Sequence, residues 1–363
     1  MAFQLKKNDP IKVRKIKKAT LMTVLTALLA AAVLTAVVSG AASIPLPAAL
    51  KILLEPIPWL NGLFSDVLVS EVWRGIIWQL RLPRVLQAAL VGASLAVAGT
   101  VFQGLFRNPM ADPYVLGVSS GAALGAVSAM LMGGIVTIAG FGAVPLFAFI
   151  GGGATIVGVY SIARVGKTVP VMTLLLTGIA ASAFLSAFVS LLTYFAGEKL
   201  DQVVFWMMGG VGGAGWGRII AMLPYVLLGY ICIAACAKEL DVLLLGEETA
   251  HHLGVNTEKV KKILLIAASL LVAAAVSTSG IIGFVGLIVP HFIRIVAGPG
   301  HKTLLPASAL LGAALLIAAD TLARTVIAPA ELPVGIITAM VGAPVFIILL
   351  KKRRKLRYFN AAD

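Results

Sequence analysis

One pattern constrains this chain more than any other: apolar runs recur along it, each near the ~20 residues a helix needs to cross a ~30 Å hydrocarbon layer. Such runs lie at 20–42, 84–106, 115–133, 143–163, 169–195, 219–237, 262–279, 281–297, 304–322 and 334–350. Backbone polar groups in lipid must be satisfied within the protein, which leaves helices or closed barrels, and runs this long belong to helices. With 60% hydrophobic and 12% charged residues and a mean hydropathy of +1.02, the chain is far more apolar than a soluble domain. The expected fold class is therefore all-α, a polytopic membrane protein with about ten transmembrane helices.

Charge orients the spans. With the N-terminus in the cytoplasm and ten alternating crossings, 22 of the 29 Lys and Arg face inward. The acids divide eight inside and seven outside, so the whole net charge of +14 falls on the cytoplasmic side, as the positive-inside rule asks. All five tryptophans, Trp59, Trp73, Trp78, Trp206 and Trp216, fall in outward connections, where an interfacial belt would lie. Both termini are expected in the cytoplasm, and the basic charge is a topology signal that needs no nucleic acid. Residues 1–18 form a basic N-terminal segment, 19–350 one transmembrane domain, and 351–363 a basic tail. The apolar run after residue 19 exceeds the ~7–15 residues of a signal-peptide core, so an uncleaved first span is expected, with a cleaved leader as the alternative.

The polar stretch 238–262 interrupts the second half and, by this topology, lies in the cytoplasm. Gly246 and Gly254 bracket Glu247–Leu253, which can form two helical turns, with Ala250 and Leu253 on one face. Asn256 is a good N-cap for the next helix, and Glu258 and Lys262 stand at i,i+4. Around 262–297, Gly280, Gly283, Gly286 and Pro290 predict broken helices. Small residues in the second span, among them Gly92 and Gly99, allow close helix contact. Cys232 and Cys236, at i,i+4 in one apolar run, read as packing residues.

No acid lies deep within a span; Asp320 and Glu331 fall near outer ends. That counts against an ion- or proton-coupled secondary transporter, the alternative reading. The chain has no G-x-x-x-x-G-K-[ST] phosphate loop, so it does not hydrolyse nucleotide by that route. His251 and His252 are adjacent, without zinc spacing, and no residues suggest a catalytic constellation or a metal site. The remaining clusters sit at connections. Arg81-Leu82-Pro83-Arg84 opens the second span, with Arg324 in another outward connection: either snorkelling side chains with a local Asp320/Arg324 pair, or a basic rim for an acidic partner. Ser119 and Ser120, after the two-proline turn 107–113, suit a helix corner or a polar constriction.

In this order the clusters resemble the FecCD-type permeases of ABC importers for iron–siderophores, haem and vitamin B12. The matching stretches are RLPR (81–84), AGTVFQGLFRNPMADPYVLGVSSGA (98–122), LLLTG (174–178), WMMGGVGGAGW (206–216), LGEETAHHLGV (245–255), GIIGFVGLIVPHFIR (280–294), HKTLLPASALLGAALLIAADTLAR (301–324) and ELPVGIITAMVGAPVFIILL (331–350). The resemblance implies a membrane subunit with no enzyme activity of its own in a bacterial cytoplasmic membrane. It pairs with a second permease, commonly an identical one, two ATPases that hold the ATP and Mg, and an extracytoplasmic substrate-binding protein. It also implies that Arg81, Arg84 and Arg324 receive the binding protein. Gly246, Glu247, Glu248, Thr249, Ala250, His251, Leu253 and Gly254 would contact the ATPase, and Ser119 and Ser120 would stand at a gate.

Overall fold

The computed structural model describes residues 10–40, 42–59, 66–133, 137–138, 141–166 and 168–359. Lys6, Lys7, Asp9, Lys167 and Asp363, counted in the charge reading, lie outside the described residues.

The apolar runs become helices: α1 (Pro10–Val38), α2 (Leu46–Leu54), α3 (Glu71–Gly75), α4 (Leu82–Leu105), α5 (Val118–Leu131), α6 (Ala143–Ala163), α7 (Val171–Tyr194) and α8 (Leu200–Met207). The second half adds α9 (Trp216–Ala235), α10 (Ala237–Leu243), α11 (Glu247–His252), α12 (Thr257–Ser279), α13 (Val285–Ala297), α14 (His301–Thr325) and α15 (Val334–Phe359). A two-residue antiparallel hairpin, Thr137–Ile138 against Phe141–Gly142, joins α5 to α6. Among the described residues, seven helices are long and apolar enough to cross a membrane, and three shorter apolar ones lie at Val118–Leu131, Val285–Ala297 and Val334–Leu349. Each overlaps one of the runs read from the sequence.

The second span departs from expectation. It begins at Glu71, not near residue 84, and runs 35 residues to Leu105 through α3, a π-helical turn at Ile76–Arg81, and α4. Pro83 lacks an N–H and its ring crowds the preceding turn. The helix accommodates it with a wider turn, in which the Leu82 N–H reaches back five residues to the Ile77 carbonyl. Arg81 and Arg84 therefore lie within a helix rather than at its start, and Trp73 and Trp78 are helical too.

α4 is the centre. It touches α14, α12, α13 and α9, while α5 packs on α6 and α7, and α1 on α14. The most apolar windows of Glu71–Leu105 and of α12 are 78% buried, against 17% for those of α1 and α7, which places the former inside and leaves the latter with broad apolar outer faces. Two contacts explain the small residues. A Cβ at Gly99 would lie 1.8 Å from the Gly286 carbonyl oxygen, and one at Gly92 would lie 2.2 Å from that of Gly312. No side chain fits at either site, so α4 meets α13 and α14 backbone to backbone.

The break predicted in the 262–297 pair is present. α12 ends at Ser279, the chain turns through Gly280–Phe284 with Phe284 at φ +68°, and α13 starts four residues later than expected. Three side chains hold this turn. Gln87 Nε2 donates to the Thr278 carbonyl and Gln103 Nε2 to the Leu287 carbonyl, each at 3.0 Å. The Tyr114 hydroxyl donates to the Ile282 carbonyl (2.9 Å) and accepts from the Ile282 N–H (3.2 Å).

Candidate functional site

The residues singled out above fall into three groups. At one end of the bundle, Arg81, Arg84 and Arg324 come together, as the docking reading requires. Their guanidinium groups, however, are already engaged. Arg81 donates to the carbonyls of Val37 (2.6 Å), Val38 (2.8 Å) and Ala42. Arg324 donates to Ser39 (2.8 Å) and Ala36. The last carbonyls of a helix lack intrahelical partners, so two arginines from α14 and the π-turn close the end of α1.

Arg84 makes the fork expected of a guanidinium on carboxylates. Its Nε and Nη2 sit 2.8–3.0 Å from the Asp320 oxygens, and Nη1 lies 2.9 Å from both oxygens of Glu331. The anticipated Asp320/Arg324 pair exists only as a longer contact of 3.8 Å. Asp320 spends its better bonds on Arg84, 236 residues away in sequence. A cavity of about 550 Å³ opens on one side of the Arg84–Glu331 bridge, lined among others by Trp206, Arg218, Ser277 and Ser279. Another of about 390 Å³ reaches Arg81 and Arg324 on its other side.

The 246–254 segment is helical where the glycines bracketed it. Gly246 sits at φ +115°, a conformation an L side chain rarely adopts, and there the chain turns from α10 into α11. Glu248, Thr249, His251, His252, Leu253 and Gly254 are exposed, and Ala250 is buried. Ala250 and Leu253 thus do not share a buried face, because α11 ends at His252 and Leu253 points outward. The Asn256 side chain caps α12 by accepting from the Lys259 N–H at 3.1 Å, as expected. Glu258, by contrast, pairs with Lys261 (2.5 Å) rather than Lys262.

Lys261 is the residue that sequence reading missed. Its buried ammonium also meets Glu247 at 2.8 Å and the Val169 carbonyl at 3.3 Å. Glu247 therefore ties α11 to α12, Lys261 ties both to the segment before α7, and the outward face of α11 starts at Glu248. A lysine just ahead of the 262–279 apolar run was the available signal. Its two carboxylate partners identify it only in three dimensions.

Ser119 is buried and Ser120 half-buried in the first turn of α5, where Ser120 Oγ lies 3.3 Å from Ser186 Oγ on α7. Cys232 and Cys236 are free thiols.

The described residues thus form a helical bundle of apolar spans with a charged rim at one end and a small exposed helix on a polar connection. The family comparison specifies the type. The FecCD transport family matches residues 27–352, and the chain belongs to that family of ABC-importer permeases. It is 43% identical over 329 residues to the uncharacterized ABC transporter permease protein YvrB of Bacillus subtilis, covering 90% of this chain and 92% of that one. It is 49% identical over 285 residues to the cobalamin import system permease protein BtuC of Halobacterium salinarum (78% and 76% covered). Over 295 residues it is 45% identical to the hemin transport system permease protein HmuU of Yersinia pestis (77% and 85% covered). An ABC transporter assigned to the metal-chelate type, solved in an inward-facing conformation, superposes with a TM-score of 0.79 at 32% identity, covering 92% of this chain and 99% of that one.

Proposed function

We propose that this permease forms the pathway of an ATP-driven importer for a metal chelate: an iron–siderophore, haem or cobalamin. The observation that carries the reading is α11, a short helix with an exposed face, tied by Glu247–Lys261 into the bundle of a chain without a phosphate loop. Such an element suits the reception of force from a separate ATPase, which holds ATP and Mg. The similar permeases named for cobalamin import and hemin transport support a large chelate as cargo.

In this reading the ten apolar helices are ten crossings of a cytoplasmic membrane, the first one retained, with both termini inside. The protein pairs with a second permease, in the simplest case a copy of itself, and with two ATPases at the 238–262 connection. Arg81, Arg84 and Arg324 receive an extracytoplasmic binding protein, and Ser119 and Ser120 stand at the gate. Nucleotide-driven closure of the ATPases then biases a two-state bundle between outward and inward openings.

The test is reconstitution. The pure polypeptide should hydrolyse no ATP. Proteoliposomes that also hold the ATPase and are supplied with binding protein should take up the chelate when ATP is present. ATP hydrolysis by the polypeptide alone, or uptake without nucleotide, would sink the reading.

A further inference from the structure

α14 is gripped at both ends by other parts of the chain. At its N-terminus a single carboxylate oxygen, Asp241 Oδ1 on α10, lies 2.9 Å from the His301 backbone N and 2.6 Å from His301 Nδ1. The first N–H groups of a helix lack intrahelical acceptors, and an acid there satisfies one of them and complements the helix dipole. The residue before α14 is Gly300, which has no side chain to do this, so the cap is delivered across space from α10. The His301 ring is fully buried, with Nε2 against Gly104 of α4, so the same contact fastens α10 to the α4–α14 layer. Asp241 stands five residues before Gly246, where α11 is about to begin.

At the other end, α14 carries Asp320 and Arg324, two members of the arginine rim. Its 25 residues span roughly 38 Å at ~1.5 Å per residue. Its proline, Pro306, falls in the second turn, and beyond it the helix is locked to α4 at Gly312. α12, which α11 also holds through Lys261, stops at the Gly280 turn. α14 continues to the rim.

We infer that Asp241 is a positioning residue through which displacement of α11 reaches the rim, by holding the inner end of α14 so that the helix follows α10 as one body. The inference rests on the reading of α11 as the ATPase contact and the rim as the binding-protein contact. It goes further by naming the element that joins them and the residue that attaches it.

The experiment uses the full complex of permease, ATPase and binding protein in lipid nanodiscs. The Kd of the binding protein is measured with and without a non-hydrolysable ATP analogue and Mg. The ratio of the two values is the coupling between the faces. Asp241→Ala should bring that ratio to within about twofold of one, while the nucleotide-free Kd stays within about twofold of the unsubstituted protein. A purely structural defect would change both values together. Asp241→Asn keeps an oxygen acceptor in the same place and should retain the original ratio within about twofold. An unchanged ratio in Asp241→Ala, or an Asn variant as impaired as the Ala variant, overturns the role of Asp241. If Asp241→Ala does not assemble, His301→Leu removes the ring donor and keeps the cap. It should lower the ratio about threefold, and an unchanged ratio again overturns the inference. If the unsubstituted complex fails to form, or docks its binding protein identically with and without nucleotide, the proposed function fails instead.

Discussion

Arg84 is the residue on which the rim depends. Asp320 is almost fully buried and receives its short bonds from Arg84, so replacing Arg84 by Gln leaves a carboxylate with only the 3.8 Å contact from Arg324. Losing one partner of a buried pair costs about 3–5 kcal/mol, and Arg84→Gln should lower the melting temperature of the detergent-solubilised protein markedly; an unshifted melt would show that Asp320 finds another partner. Glu331 behaves differently because its side chain is half exposed. A docking acid must compete with it for Arg84, so Glu331→Gln should tighten binding-protein docking several-fold, most at low ionic strength where charges are least screened. Docking that weakens instead, at every salt concentration, would mean that Glu331 itself meets the partner. RLPR was conspicuous in the sequence, yet its partners were not. A pairing across 236 residues leaves no periodic trace, and both acids looked like ordinary span ends.

At the level of elements, the positions of the spans were legible because hydropathy alone sets them. α6 falls on 143–163 as read, and α7 lies within 169–195. The end of Glu71–Leu105 was read to within one residue, but its start was not legible, since the wide turn that admits Pro83 is a backbone response with no composition of its own. The small residues of α4 predicted closeness but not with which helix. Gly99→Val would drive side-chain atoms into the Gly286 backbone, which cannot yield as a side chain would. The variant should insert in the membrane yet fail to reach a monodisperse folded state in size-exclusion chromatography; a normal profile would refute the tight contact. For α11, Glu247→Arg sets a cation against Lys261 and should loosen the helix from α12. ATP hydrolysis by the assembled complex should then persist while uptake falls at least about tenfold, since coupling energies commonly reach that size. Proportional loss of both activities would instead indicate failed assembly.

For the whole molecule, the division into a buried inner set, with α4 and α12, and an outer set exposing apolar faces fits a bundle surrounded by lipid. The energy source is a property of the assembly. Uptake by the complete importer should therefore withstand an uncoupler that collapses the proton gradient, and uptake abolished by the uncoupler with ATP still present would favour a secondary carrier. Helix Glu71–Leu105 adds a mechanical consequence. At ~1.5 Å per residue its 35 residues reach about 52 Å, roughly 20 Å more than the hydrocarbon thickness. The excess falls at its polar first turns, which carry Glu71 and Arg74, so a crossing by this helix takes those turns beyond the lipid tails. A lever so anchored keeps its tip at a height fixed by the protein. Membranes that differ by a few ångströms in thickness would leave the tip where it is.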